Sequence, residues 1–191
     1  EKAGDVIRET SLLPSVCGRV CPQERQCEGK CVLGIKGEPV AIGALERYVG
    51  DYTKAQETEI VENGKKVAIV GSGCAGITAA ADLRKAGFSV TVFEALHEFG
   101  GVLRYGIPKF RLPIGVLDDI ESMLLDLNVK IRYNALVGPV ITIDKLFEDG
   151  YDAIFIGTGV WNPKPLNIKG ETLGHVHYAI DYLKSPNSYR L

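Results

Sequence analysis

The pattern of apolar and polar positions changes character near residue 60. Before that point no stretch alternates as a strand does, and residues 1–60 read as short helices joined by cysteine-rich loops. The clearest helix runs from about Ala41 to Tyr52, and its spacing predicts Ile42, Leu45 and Val49 on one face. Glu46 comes four residues after Ile42 and three before Val49, which sets a carboxylate close to that inward face, where it needs a partner. The polar run Thr53-Lys54-Ala55-Gln56-Glu57-Thr58-Glu59, ending near Asn63-Gly64, is the expected linker.

From Lys65 onward strands and helices alternate. Val67-Ala68-Ile69-Val70 is a continuous apolar run of the kind buried on both faces of a parallel sheet. An alanine-rich helix follows through Ala86, where Gly87 suits a C-terminal cap. Val90-Thr91-Val92-Phe93 predicts a second strand ending at Glu94. Leu117, Ile120, Leu124 and Leu127 recur at helical spacing, and Val129–Tyr133 makes another short strand. Asp152–Ile156 then reads as a strand running into Gly157-Thr158-Gly159, and the stretch from Gly174 to Leu191 as a helix and its end. The order predicts an α/β fold: a Rossmann-like, doubly wound parallel sheet over residues 61–191, preceded by a small α-helical domain over residues 1–60.

Composition narrows the chemistry. A formal net charge of −2 over 191 residues gives no electrostatic basis for nucleic acid or an anionic membrane as partner. No apolar run approaches the length of a membrane-spanning helix. The opening Glu1-Lys2-Ala3-Gly4-Asp5 is neither an initiator methionine nor a signal peptide, so the chain is expected to begin within a longer protein. Four of the five cysteines fall between Cys17 and Cys31, which without a secretory signal favours metal over disulfides and a reducing, cytoplasmic setting.

Gly71-Ser72-Gly73-Cys74-Ala75-Gly76 follows a predicted strand and opens a predicted helix, the setting in which G-x-G-x-x-G binds a dinucleotide. Gly71 permits the tight turn, Gly73 the approach of the pyrophosphate, and Gly76 close packing of helix on strand, while the helix start offers N–H groups to the phosphates. Glu94 ends the next strand, 18 residues beyond Gly76, placed to accept hydrogen bonds from ribose hydroxyls. A glycine turn serving only the fold explains Gly76 but not Glu94. An acidic strand end suits FAD or NAD rather than NADP, and Gly100-Gly101 adds bare backbone for a longer ligand, which favours FAD and leaves NAD open. Cys74 stands where a thiolate is favoured, but is read as a small residue filling a crowded turn.

The spacing Cys17-x3-Cys21-Pro22-x4-Cys27-x3-Cys31 supports several chemistries. Two knuckles of the zinc type, an iron–sulfur site announced by the Cys-Pro pair, and disulfides all remain open on spacing alone. The dinucleotide fold alongside favours iron and sulfur, since zinc carries no electron.

These residues also carry a resemblance. Cys17-Gly-Arg-Val-Cys-Pro-Gln-Glu-Arg-Gln-Cys-Glu-Gly-Lys-Cys31 and Ala41-Ile-Gly-Ala-Leu-Glu-Arg-Tyr48 are similar to the N-terminal iron–sulfur domain of the glutamate synthase small subunit family. Gly100-Gly-Val-Leu-Arg-Tyr-Gly-Ile-Pro-Lys-Phe-Arg-Leu-Pro113 resembles that family's flavin-contacting loop. Relatives include the large subunit of electron-bifurcating NADH-dependent ferredoxin:NADP oxidoreductase, and dihydropyrimidine dehydrogenase. The resemblance covers essentially the whole chain. It implies an oxidoreductase in which NAD(P)H delivers hydride to FAD, and electrons pass singly to [4Fe–4S] clusters and onward to a partner such as a larger glutamate synthase subunit or a ferredoxin-linked subunit. No protein acid, base or nucleophile is implied. By matching position, Cys21, Cys27 and Glu46 would ligate one cluster and Cys31 a second, with Cys17 outside both. Gly71, Ser72, Gly73, Cys74, Ala75, Gly76 and Glu94 match the adenosine diphosphate site. Gly101, Val102, Leu103 and Arg111 match the loop towards the flavin, Val137 a backbone contact to adenine, and Gly157, Thr158 and Gly159 the return strand.

Three departures qualify the match. The family carries an earlier cysteine group that completes both clusters, and inserts a separate NAD(P)H-binding domain; neither stands in these residues. Cys74 replaces the proline common in such fingerprints. The chain is therefore expected to be a segment of the working enzyme. The rival expectation is a non-catalytic dinucleotide-binding module with a structural zinc knuckle. His175 and His177 are read as ordinary residues rather than ligands.

Overall fold

The computed structural model describes residues 2–53 and 59–189. The first part is helical: α1 (Lys2–Arg8), α2 (Pro14–Val20) and α3 (Ile42–Tyr52), with three short 3-10 turns at Gln23–Arg25, Glu28–Lys30 and Val32–Ile35 between α2 and α3. Pro14 opens α2, where its missing N–H has no helical partner to lose. Helices α2 and α3 approach so closely that side chains are excluded. A Cβ at Gly18 would lie 2.4 Å from the Arg47 nitrogen, and one at Gly50 would lie 2.4 Å from the Ser15 nitrogen. Arg19 fastens the pair from the side, donating to both carboxylate oxygens of Asp51 at 2.7 and 2.8 Å.

This close approach changes the face expected for α3. Leu45 is exposed, whereas Gly43 and Val49 are buried and Ile42, Glu46 and Gly50 are half-buried. The helix turns Gly50, not Leu45, towards α2, while Gly43 faces the Gln23 side chain. Glu46 has the partner its position demanded: Ser11 Oγ donates to Glu46 Oε1 at 3.1 Å.

The remainder forms a parallel sheet of β1 (Lys66–Val70), β2 (Ser89–Phe93), β3 (Lys130–Arg132) and β4 (Ala153–Ile156), in the order β3-β2-β1-β4. Between them come α4 (Cys74–Lys85), α5 (Val102–Tyr105), α6 (Ile114–Asp126) and α7 (Ile143–Glu148), and α8 (Ala179–Tyr189) follows β4. Side chains alternate across the sheet. Val67, Ile69, Val90 and Val92 face Ile77, Ala80 and Ala81 of α4 and Leu117, Ile120 and Leu124 of α6. Ala68 and Phe93 face Ala135 and Leu146 of α7 on the other side. Helices therefore cover both faces, as the strand–helix alternation predicted. Leu13, which precedes α2, and Val16 within it belong to the first of these cores.

Glycine follows α4 as expected, with Gly87 at φ +88°. Arg84, near that end, is buried and donates to the carbonyls of Leu127 (2.7 Å) and Phe88 (3.2 Å), closing α4 onto the chain beyond α6. Of the expected linker, residues 54–58 lie outside the described residues, as do residues 190–191 of the expected terminal helix. Among the described residues no helix is long and apolar enough to cross a membrane.

Candidate functional site

The chain steps outward from β1 to β2 and β3, then crosses back to place β4 on the other side of β1. Such a reversal leaves a crevice at the carboxyl ends of β1 and β4, the strands between which the direction changes. Gly71 and Gly157 leave β1 and β4 at that point, joined to the sheet by Gly71 N–H to Phe93 O (2.8 Å) and Gly157 N–H to Val70 O (2.9 Å).

The three fingerprint glycines have different reasons to be glycine. Gly71 has φ +101°, and a Cβ there would sit 2.6 Å from the Gly157 carbonyl oxygen. A Cβ on Gly76 would sit 1.9 Å from the Gly71 carbonyl oxygen. The fold alone demands both. Gly73 differs: its φ of −74° suits any residue, and a Cβ there would meet nothing within 4 Å. It precedes the first turn of α4, whose early N–H groups have no helical acceptor. The fold leaves that space open where the sequence predicts a pyrophosphate.

Beside it lies a buried polar cluster. Glu94 Oε2 accepts the Ser72 N–H (2.9 Å) and hydroxyl (2.5 Å), and Glu94 Oε1 accepts the Leu96 N–H (2.8 Å). Ser72 Oγ in turn accepts the Gly100 N–H at 3.0 Å. The double glycine is thereby drawn onto the fingerprint, to the point that a Cβ on Gly101 would lie 3.2 Å from Gly73 Cα. Ala135 N–H to Glu94 O (2.9 Å) and Asn134 N–H to Leu96 O (3.1 Å) bring the segment leading to Val137 beside the same strand end.

The structure thus gathers Gly71–Gly76, Glu94, Gly101 and Gly157 at one sheet end, with Thr158 and Gly159 continuing from it. Val137 is half-buried on the neighbouring segment. Val102 and Arg111 are exposed, whereas Leu103 is buried in the core under the sheet, so only its backbone is available. Cys74 is exposed and fills no crowded turn. An unanticipated feature is Arg104, a buried guanidinium that donates to Phe99 O and Asp118 Oδ1 and lines a cleft of about 560 Å³ with His97, Glu98, Lys109 and Tyr133. Nothing in the sequence singled it out.

All five cysteines are free thiols. Cys21 follows α2, with its N–H bonded to Cys17 O at 3.1 Å. Cys27 is exposed, and Cys31 is half-buried with its sulfur accepting the Val40 N–H at 3.5 Å. The N–H of Val40, with those of Leu33 and Gly34, holds the Cys31 thiol below its ordinary pKa. Cys17 is the opposite case. It packs against the main core, and burial, reinforced by Cys21, Glu46 and Cys74, pushes its thiol up to about 12. It behaves as a small apolar residue.

Two polar side chains in the loop, unmarked in the sequence, fasten it. Gln23 Nε2 donates to Cys17 O (2.8 Å), and Glu28 Oε1 accepts the Gly43 N–H in the first turn of α3 (2.8 Å). The donors suit iron and sulfur chemically: thiols, one of them favoured as thiolate, and a carboxylate. Among the described residues, however, no three His, Cys, Asp or Glu side chains are gathered into one cation site, so Cys21, Cys27 and Glu46 are not drawn together and no closed four-thiol zinc site forms.

Known proteins share both halves of this arrangement. Residues 1–58 match the family model described as dihydropyrimidine dehydrogenase domain II, 4Fe-4S cluster, and residues 65–191 match that of pyridine nucleotide-disulphide oxidoreductase. The chain is 35% identical over 187 residues to the glutamate synthase [NADPH] small chain of Escherichia coli (strain K12), an alignment covering 95% of this chain and 39% of that one. The corresponding protein of Bacillus subtilis (strain 168) is 39% identical over 190 residues, covering 96% and 38%. The fold is similar to that of FprA from Mycobacterium tuberculosis, solved in complex with NADPH, with TM-score 0.58 and 30% identity over 64% of this chain and 29% of that one. The chain spans about two fifths of the length of these small-chain relatives. With the second model matching well over half of its residues, the chain belongs to the pyridine nucleotide-disulphide oxidoreductase family.

Proposed function

We propose that this chain is the electron-transfer segment of an FAD and iron–sulfur NAD(P)H-dependent oxidoreductase of the glutamate synthase small-subunit type. The observation that carries the reading is Gly73: neither φ nor a neighbouring atom of the chain requires glycine there, while a pyrophosphate approaching the backbone would. Gly71–Gly76 and Glu94 would hold the adenosine diphosphate half of FAD. Gly101, Val102, Leu103 and Arg111 would lead towards the flavin, Val137 would meet adenine, and Gly157–Gly159 would flank the cofactor.

Residues 1–60 and 61–191 form two cofactor-bearing units in this reading. In the first, Cys21, Cys27 and Glu46, which do not converge on their own, would be gathered on one [4Fe–4S] cluster and Cys31 on another, with the remaining ligands from outside these residues. Bound NAD(P)H, FAD and clusters would supply the redox chemistry, in which a hydride reaching the flavin would leave it as two single electrons for the clusters and a proton released to solvent. This chain's own task is to bind, space and shield those groups. A larger subunit that receives the electrons is the expected partner, and the cytoplasm, which keeps such thiols reduced, the expected compartment.

The test is an absorption spectrum and metal analysis of the full-length protein purified without oxygen. Flavin bands on a broad iron–sulfur shoulder are expected. Colourless protein holding stoichiometric zinc would overturn the proposal in favour of a zinc-stabilised binding module.

A further inference from the structure

The dinucleotide reading above is the basis of this inference, which assigns a task to a residue inside the fingerprint. Ser72 is 0% exposed, so its side chain does not face a ligand. Its hydroxyl instead joins three segments, donating to Glu94 Oε2 and accepting the Gly100 N–H, which uses its donor and one acceptor site. The Ser72 N–H also goes to Glu94 Oε2. A carboxylate offers about four acceptor sites, two on each oxygen. Ser72 fills both on Oε2, and the Leu96 N–H fills one on Oε1. One acceptor site remains.

We propose that Ser72 is a positioning residue that restricts Glu94 to one adenosine-ribose hydroxyl of bound FAD and, by holding Gly100, seats the double-glycine loop on the fingerprint. The second half follows from position. Gly100 is buried at φ +116° and Gly101 is buried at φ +53°, close against Gly73, and the Gly100 N–H to Ser72 is the side-chain bond that ties this loop to the fingerprint. Removing the hydroxyl deprives that buried N–H of its acceptor and returns an acceptor site to Glu94 Oε2.

The test titrates flavin-free full-length protein with FAD and with its analogues lacking either the 2′- or the 3′-hydroxyl of the adenosine ribose, following flavin fluorescence. In the wild type one analogue is expected to bind about 10-fold to 100-fold more weakly than FAD, the loss of one hydrogen bond to a charged acceptor, and the other to bind as FAD does. In Ser72→Ala, FAD is expected to bind about 10-fold more weakly than to the wild type, and both analogues more weakly still. Equal penalties for both analogues on the wild type overturn the proposal, and this comparison stands even where the variant does not fold. A folded Ser72→Ala with unchanged FAD affinity and an unchanged analogue pattern overturns it too. Wild-type protein that takes up no FAD overturns the dinucleotide reading itself, and this proposal with it.

Discussion

Gly73 and Gly76 stand three residues apart and respond oppositely to the same substitution. An alanine Cβ at Gly76 would lie 1.9 Å from the Gly71 carbonyl oxygen, against the 3.4 Å at which ordinary contact begins, so α4 would have to withdraw from β1 by about 1.5 Å. Withdrawal separates Ile77, Ala80 and Ala81, all fully buried, from the strands they cover. Overpacking costs about 1–3 kcal/mol where side chains can give way. Here the obstacle is backbone, so Gly76→Ala should lose about 3 kcal/mol or more. At Gly73 an alanine meets no atom and needs no unusual φ. It forfeits glycine's better N-cap, about 0.5–1 kcal/mol, and gains about 0.4–1 kcal/mol from a less flexible unfolded chain. The net change should lie near zero. FAD binding should nonetheless fall at least about 10-fold in Gly73→Ala, because its methyl occupies the approach of the pyrophosphate. The assay is urea unfolding of the flavin-free full-length protein, followed by FAD titration. If Gly73→Ala is as unstable as Gly76→Ala and binds FAD normally, the glycine serves the chain rather than a ligand and the reasoning fails.

Other substitutions probe the helical part. Gly18→Ala drives a methyl to 2.4 Å from the Arg47 nitrogen and should lower stability by about 1–3 kcal/mol, read as a lower melting temperature. Glu28→Ala removes the acceptor of the Gly43 N–H and should cost about 1 kcal/mol, most of it restored by Glu28→Gln, which keeps a carbonyl oxygen there. The Arg19 guanidinium holds the Asp51 carboxyl below its ordinary 3.8. A depressed pKa adds stability that is fully present above 3.8 and lost as pH falls through the lower folded value, so denaturation curves of Asp51→Asn should show a flatter acid limb than wild type. Glu46→Ala in the full-length protein should alter the EPR signal of one cluster; unchanged spectra and iron content would remove Glu46 from the ligands.

Local physics explains which parts of the fold could be read from sequence. Val67–Val70 and Val90–Phe93 are apolar enough to be buried on both faces, and they form β1 and β2 with at most one extra residue at the start. Gly71 and Gly76 follow from the turn itself. The order of the strands is less accessible, because the neighbours of a parallel strand are chosen by crossovers and not by its own residues. Nothing in Ala153–Ile156 says that it pairs with β1 rather than standing beyond β3. The inner face of α3 was misread at Leu45 because helical periodicity weighs large apolar side chains, while a helix pair in near-backbone contact turns Gly50 inward against Ser15 instead. The fastening roles of Ser72, Gln23 and Glu28 were silent for a related reason: each acts through hydrogen bonds to other segments of the chain, which leave no periodic trace.

Helix α2 shows why the change of pattern near residue 60 is a poor guide to the course of the packing. Leu13 and Val16 are buried in the core that underlies the sheet. Gly18, on the opposite side of the same helix, receives α3. Burying a valine or leucine contributes about 1.5–3 kcal/mol, so these two contribute roughly 3–6 kcal/mol to anchoring the start of α2 in that core. An exposed ion pair such as Lys184–Asp181 supplies about 0–1 kcal/mol. Cys21 follows α2 directly, and Glu46 rides on α3, which the glycine contact and the Arg19–Asp51 pair fix to α2. Packed atoms therefore run without interruption from the strands beneath the fingerprint to the first cysteine of the loop. The spacing between the crevice at Gly73 and Cys21 is set by that packing, and the proposed transfer of electrons between two bound groups would need such a fixed distance more than any reactive side chain.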